Sequence, residues 1–175
     1  EPEQKHLFEM GIVAEIKQIV KIPHNILRVL VEGLYEARLV SLEGEDALEG
    51  VALRADPEDF GTLPENGKEA MLRNLRKIFE GYGSNNRNIS KDVLRQVTDC
   101  GKLETMIVQV MAHTPFSWEQ KQRLLETRTL SERYERICIM LNNELEIEQL
   151  RRGIQEKVKA QVDKNQKDYI LREQM

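Results

Sequence analysis

Residues 129–175 read TLSERYERICIMLNNELEIEQLRRGIQEKVKAQVDKNQKDYILREQM, with no proline and a single glycine, Gly153. Apolar side chains recur at Leu130, Tyr134, Ile137, Leu141 and Leu145, then at Leu150, Ile154, Val158 and Val162. Steps of three and four place them on one helical stripe. Thr129 followed by Glu132 has the spacing of a capping box, which opens a helix. At 1.5 Å per residue, an unbroken helix here would be roughly 70 Å long. No glycine follows the periodic stretch, so the rod reads as one that continues toward a further module.

The remaining residues bound the fold class. Aromatics make up only 5% of the chain, so its core must be built from Leu, Ile, Val and Met. A net charge of −4 argues against a general nucleic-acid binder. No run reaches the ~18 apolar residues that a membrane helix needs. The opening EPEQKHLFEM is polar and lacks the pattern of a signal peptide. Cys100 and Cys138 are isolated in apolar helical patterns and read as buried, reduced thiols.

From Gly11 onward the pattern has period two. Ile12, Ala14, Ile16, Val20 and Ile22 share one parity, with Glu15, Lys17 and Lys21 on the other. Pro23, His24 and Asn25 carry turn chemistry. Returning strands are expected at 26–31, 35–42 and 47–53, with Gly33 breaking or bulging the run. This is a four-stranded antiparallel meander. Its two open edges suggest that part of the sheet lies upstream.

Residues 56–68 hold Pro57, Gly61, Pro64 and Gly67 and read as a linker. Short helices follow: one over 69–82 closed by Gly83, one capped by Ser90, one over 103–112 stopped at Pro115, and one opened by Ser117 and Gln120. Trp118, in the first turn of the last, is expected to pack as a staple. The expected architecture is α+β, a partial antiparallel sheet followed by a small helical bundle ending in one very long helix. Its parts are residues 1–60, 61–128 and 129–175.

Chemistry-bearing motifs are sparse. GTLPENGKE, residues 61–69, has one residue too many for a P-loop, and Glu69 stands where a hydroxyl should hold magnesium. His6 and His24 have no partner at metal-ligand spacing. The sequon at Asn88 is better explained by Ser90 acting as a cap. No nucleophile signature is present, so no catalytic, cofactor-binding or metal-binding residue is assigned. Residues 151–172 carry an excess of four positive charges. A solvated helix face accounts for them, with a DNA-contacting stripe or a helical scaffold as the alternative.

Several phrases, in order, resemble the N-terminal domain of ATP-dependent Lon proteases. Leu7-Phe8-Glu9-Met10-Gly11-Ile12-Val13-Ala14 resembles the family's LFxVGTVA. Lys21-Ile22-Pro23 with Ile26 to Gly33 resembles KLPDGTVKVLVEG, His24-Asn25 replacing Asp-Gly at the turn. Glu36-Ala37-Arg38, Lys102-Leu103, Met111-Ala112-His113, Lys121-Gln122 with Leu125-Glu126, and Leu130 to Arg133 resemble later phrases. The stretch from Asn165 to Met175 resembles NQREYYLREQMKAIQ.

The resemblance implies a non-catalytic substrate-recognition and assembly part. It implies unfolded or degron-bearing proteins as partners, a cytoplasmic hexamer in the intact protease, and dimerisation as an option for the isolated piece. The family's ATPase, which uses ATP and magnesium, and its Ser-Lys protease lie outside these residues, as do its first strands. A stand-alone module of the same kind is the alternative. The hairpin around Val20, Ile22, Ile26 and Leu30 is the candidate client contact; filling the core of the sheet is the other reading of those four residues. Gly153 is a candidate soft point in the rod.

Overall fold

The computed structural model describes residues 3–44, 47–55, 62–86 and 88–174. Residues 45–46, part of the polar turn expected at Gly44-Glu45-Asp46 between the third and fourth strands, and the first part of the expected linker (56–61) lie outside them. The chain forms two compact units, Glu1–Leu63 with Phe116–Arg133, and Pro64–Pro115 with Tyr134–Met175.

The first unit is built on three antiparallel strands in sequence order, β1 (Met10–Ile22), β2 (Ile26–Glu43) and β3 (Glu49–Arg54). The expected second and third strands are one. Gly33 does not break the run but sits beside a bulge: Val13 pairs with Tyr35 and Ala14 with Gly33, leaving Leu34 as the extra residue. A second bulge leaves Lys17 unmatched between Ile16–Val31 and Gln18–Leu30. The meander therefore has three strands among the described residues rather than four.

Helix α4 (Trp118–Leu125) belongs to the same unit. Its Ser117–Gln120 capping box forms as the sequence implies, each side chain bonded to the other's backbone. Gln122 Nε2 donates to the Met10 carbonyl at 3.0 Å, tying α4 to the root of β1. Arg133 makes a two-pronged ion pair with Glu36 on β2, at 2.7 and 2.9 Å, and donates to the carbonyls of Leu125 and Thr127. Such planar pairing holds geometry as well as charge. A cleft of about 280 Å³ runs beside this pair, lined also by Glu9, Arg38 and Arg128.

The second unit is helical: α1 (Glu65–Asn85), α2 (Lys91–Thr98), α3 (Leu103–His113) and α5 (Leu130–Glu173) from Tyr134 onward. Leu72, Leu75, Phe79 and Tyr82 of α1 bury one stripe at helical spacing. Val97, Met106, Ile107, Val110, Ile137 and Leu141 are equally buried. Gly83 is not a C-cap. The helix runs through it to Asn85, and a Cβ there would lie 2.7 Å from Leu94 Cδ1. Close packing against the end of the Leu94 side chain, not a left-handed turn, is what favours glycine here. Ser90 caps α2 by accepting from the Val93 amide. Arg76 donates to the carbonyls of Thr98 and Cys100, satisfying groups left over past the end of α2. Both cysteines are free and half-buried rather than fully enclosed, and burial raises each thiol above its ordinary pKa.

Helix α5 is continuous over 44 residues, about 66 Å at the standard rise. Thr129 accepts the Glu132 amide at its start. The helix passes through Gly153 without interruption. From Ile154 to Gln174 every residue is exposed. No helix among the described residues is long and apolar enough to cross a membrane.

Candidate functional site

The strand register decides which side chains share a face. Cross-strand partners point the same way, and so do residues two apart on one strand. Val20 pairs with Arg28, Ile22 with Ile26 and Gln18 with Leu30. Val20, Ile22, Ile26 and Leu30 therefore stand together on one face of the β1–β2 hairpin. Val20, Ile26 and Leu30 are 42%, 55% and 59% exposed, and Ile22 is partly so. They fill no core.

The opposite face is also apolar. Ile19 pairs with Val29 and Ile16 with Val31, and Leu27 shares their side. All five are exposed. Strand β3 reaches only from Glu43 back to Ala37, so residues 16–31 form a two-stranded arm. The second apolar face was not singled out from the sequence. The signal was present in ILRVLV, where consecutive apolar residues occupy both parities. A one-sided sheet strand would alternate.

Local chemistry explains the shape of the arm. At its tip His24 and Asn25 take φ of 70° and 61°. The left-handed region is accessible to asparagine and histidine more than to most residues, so the turn forms without glycine. At the Lys17 bulge the ammonium bridges Glu15 at 2.6 Å and Glu32 at 2.8 Å. Those two hydrogen bonds, to Glu15 first, raise the lysine pKa.

At the root of the arm, Trp118 is 64% exposed, contrary to the staple expected of it. Its ring lies 6.0 Å from that of Phe8, tilted by 57°. Leu7, Phe8, Leu39 and Val40 line a shallow groove nearby, with Lys5 and Arg38 at its margin. Periodicity alone could not reveal this pairing, because Phe8 and Trp118 are 110 residues apart in the chain. Among the described residues no group of three or more His, Cys, Asp or Glu side chains is placed to hold a metal ion. The ionic cleft beside Glu36 and Arg133 is internally neutralised by that pair and by Arg38–Glu9 at 3.3 Å.

Residues 1–143 match the family described as the ATP-dependent protease La (LON) substrate-binding domain. The chain belongs to the Lon substrate-binding domain family. It is 44% identical over 174 residues to the Lon protease of Lachnoclostridium phytofermentans, covering 99% of this chain and 22% of that one. The Lon protease of Escherichia coli K12 is 34% identical over 175 residues, covering 100% of this chain and 22% of its own. The chain thus spans about a fifth of the length of the Lon relatives it matches. A solved structure, the N-terminal domain of Mycobacterium avium complex Lon protease, superposes with a TM-score of 0.61 over 79% of this chain and 70% of that one, at 17% identity. That likeness supports the α+β Lon N-terminal fold with its long last helix.

Proposed function

We propose that this chain is the non-catalytic client-recognition part of an ATP-dependent serine protease that degrades misfolded and short-lived regulatory proteins. The observation that carries the reading is the arm at residues 16–31, apolar on both faces and open to solvent. Exposed apolar surface is unfavourable unless a partner covers it. An unfolded protein offers matching apolar segments, and a folded one does not. Membership in a family described by substrate binding supports the same reading. The proposal extends to a cytoplasmic hexamer for the intact protease, with ATP and magnesium used by its ATPase. Binding of DNA by the basic side of α5 is the lesser alternative.

Serine at both Ile22 and Leu30 in the intact protease tests the reading. Degradation of an unfolded protein should fall several-fold, while cleavage of a short peptide that needs no capture stays unchanged. Equal loss on both substrates, or loss on neither, contradicts it.

A further inference from the structure

We infer that α5 carries a built-in pivot at Gly153, directly beyond a guanidinium clamp made by Arg152. The helix stays continuous there, while its outer part, from Ile154 on, changes direction against the helical unit. The pivot lies wholly within that unit and does not depend on the client-recognition reading.

The packed face of α5 ends at one residue. Tyr134, Ile137, Leu141, Glu144, Glu148 and Arg152 are buried or half-buried at steps of three and four. Beyond the half-buried Gly153, every described residue is exposed. Leu150 and Ile154 stand off this face, at 68% and 61% exposed, so the apolar stripe of the outer rod does not extend the packed one.

That last packed residue holds the end of another helix. Arg152 donates through Nη2 to the Asn85 carbonyl at the end of α1, and through Nη1 to the Asn85 side-chain oxygen at 3.3 Å. Its Nε faces Glu148 at 3.7 Å. A cation is favoured in this place, because the last carbonyls of a helix lack intrahelical partners and carry the negative end of its dipole. At the near end of the packed segment, Asn74 Nδ2 of α1 donates to the Tyr134 hydroxyl at 2.7 Å. Helix α1 therefore grips α5 at Tyr134 and again at Arg152.

Nothing stiffens α5 at the next residue. A Cβ at Gly153 would have no neighbour within 4 Å, and glycine inside a helix costs about 1 kcal/mol relative to alanine. Arg152 is turned back toward Glu148, and Glu156, one turn ahead of it, makes no ion pair among the described residues. Farther out, side chains four apart bond again, Gln161 to Asn165 at 3.0 Å and Tyr169 to Glu173 at 2.7 Å. Bending concentrates where local contacts are fewest, between the gripped segment and the stapled one.

The test uses the 175-residue chain, weakly aligned in solution, with amide residual dipolar couplings read along α5 by NMR. Residues 134–152 should share one alignment with α1, while couplings over 155–172 are reduced about 2-fold by motion in the μs–ms range or faster. Gly153→Ala should bring the outer couplings up to the level of the inner ones. Arg152→Met should move the break inward, lowering the couplings over 149–152 as well. Equal couplings on both sides of Gly153 in the unmodified chain make α5 a stiff rod and overturn the pivot. An outer reduction that survives Gly153→Ala overturns it too, since fraying from the far end would give that result. So does a break that stays at 153 in Arg152→Met. An added methyl at 153 meets nothing within 4 Å, so Gly153→Ala keeps the fold and decides the matter even where Arg152→Met melts the unit.

Discussion

The α1 stripe of the helical unit and the β1–β2 arm of the other unit are similarly rich in aliphatic residues, yet they use them in opposite ways. Leu75 and Phe79 are fully enclosed, whereas Ile19, Leu27 and Leu30 are more than half exposed. Residue type alone does not separate them. What separates them is whether a second layer lies over the stripe. An apolar residue inside a packed core contributes through its neighbours. On the arm it stands exposed to solvent.

Truncation should expose the contrast most sharply. Phe79→Ala is expected to destabilise by about 4 kcal/mol, through lost burial and the cavity left behind. Ile19→Thr on the arm keeps the β-branch and should stay within about 0.5 kcal/mol. Urea unfolding of the two variants measures both. Comparable losses would mean that the arm is packed against something in solution and that the two regions are alike.

Two glycines sharpen the comparison at a smaller scale. Gly83→Ala puts a methyl 2.7 Å from Leu94 and should cost about 1–2 kcal/mol. Gly153 has nothing within 4 Å of an added Cβ, and φ there is ordinary. Gly153→Ala should therefore strengthen α5 by up to about 1 kcal/mol, seen as slower amide exchange around residue 153. A gain at Gly83 or a loss at Gly153 would show that the surroundings of these helices are misassigned.

The smallest effect is one of pH. Glu104 accepts from Lys68 at 3.1 Å within the helical unit. Burial pushes its carboxyl upward, but the backbone hydrogen bond together with the bond to and charge of Lys68 outweighs this, leaving the pKa below its ordinary 4.5. A depressed carboxylate contributes stability that is present above the unfolded value and is lost as pH falls through the folded one. Lys68→Met should shrink that acid-side loss, measured as the change in melting temperature between about pH 6 and pH 3. An unchanged slope would remove Glu104 as its source.

Much of this was legible in the order of residues. The stripe 130, 134, 137, 141 gave away α5, and the Ser90, Ser117 and Thr129 hydroxyls marked helix starts that do form. These are local signals, set within four residues. The misreadings were of another kind. The expected bulge at Gly33 is there, but it lies inside one long strand rather than between two, and Gly83 is a packing contact inside one long helix. Glycine says that a Cβ is unwelcome, but not whether a turn or a neighbour excludes it. The candidate site divided the same way. Alternation put Val20, Ile22, Ile26 and Leu30 on one face. Their exposure, and that of the face behind them, depends on which layers the fold leaves out, and no short-range pattern carries that.

The exposed Trp118 beside Phe8 has a practical consequence. It is the chain's only indole, so emission excited near 295 nm comes from a single point at the root of the hairpin. That gives an optical reporter already in place, without a dye and without a substitution. Its colour and quenching by iodide answer to whatever settles on that corner of the surface, rather than to an average over many fluorophores.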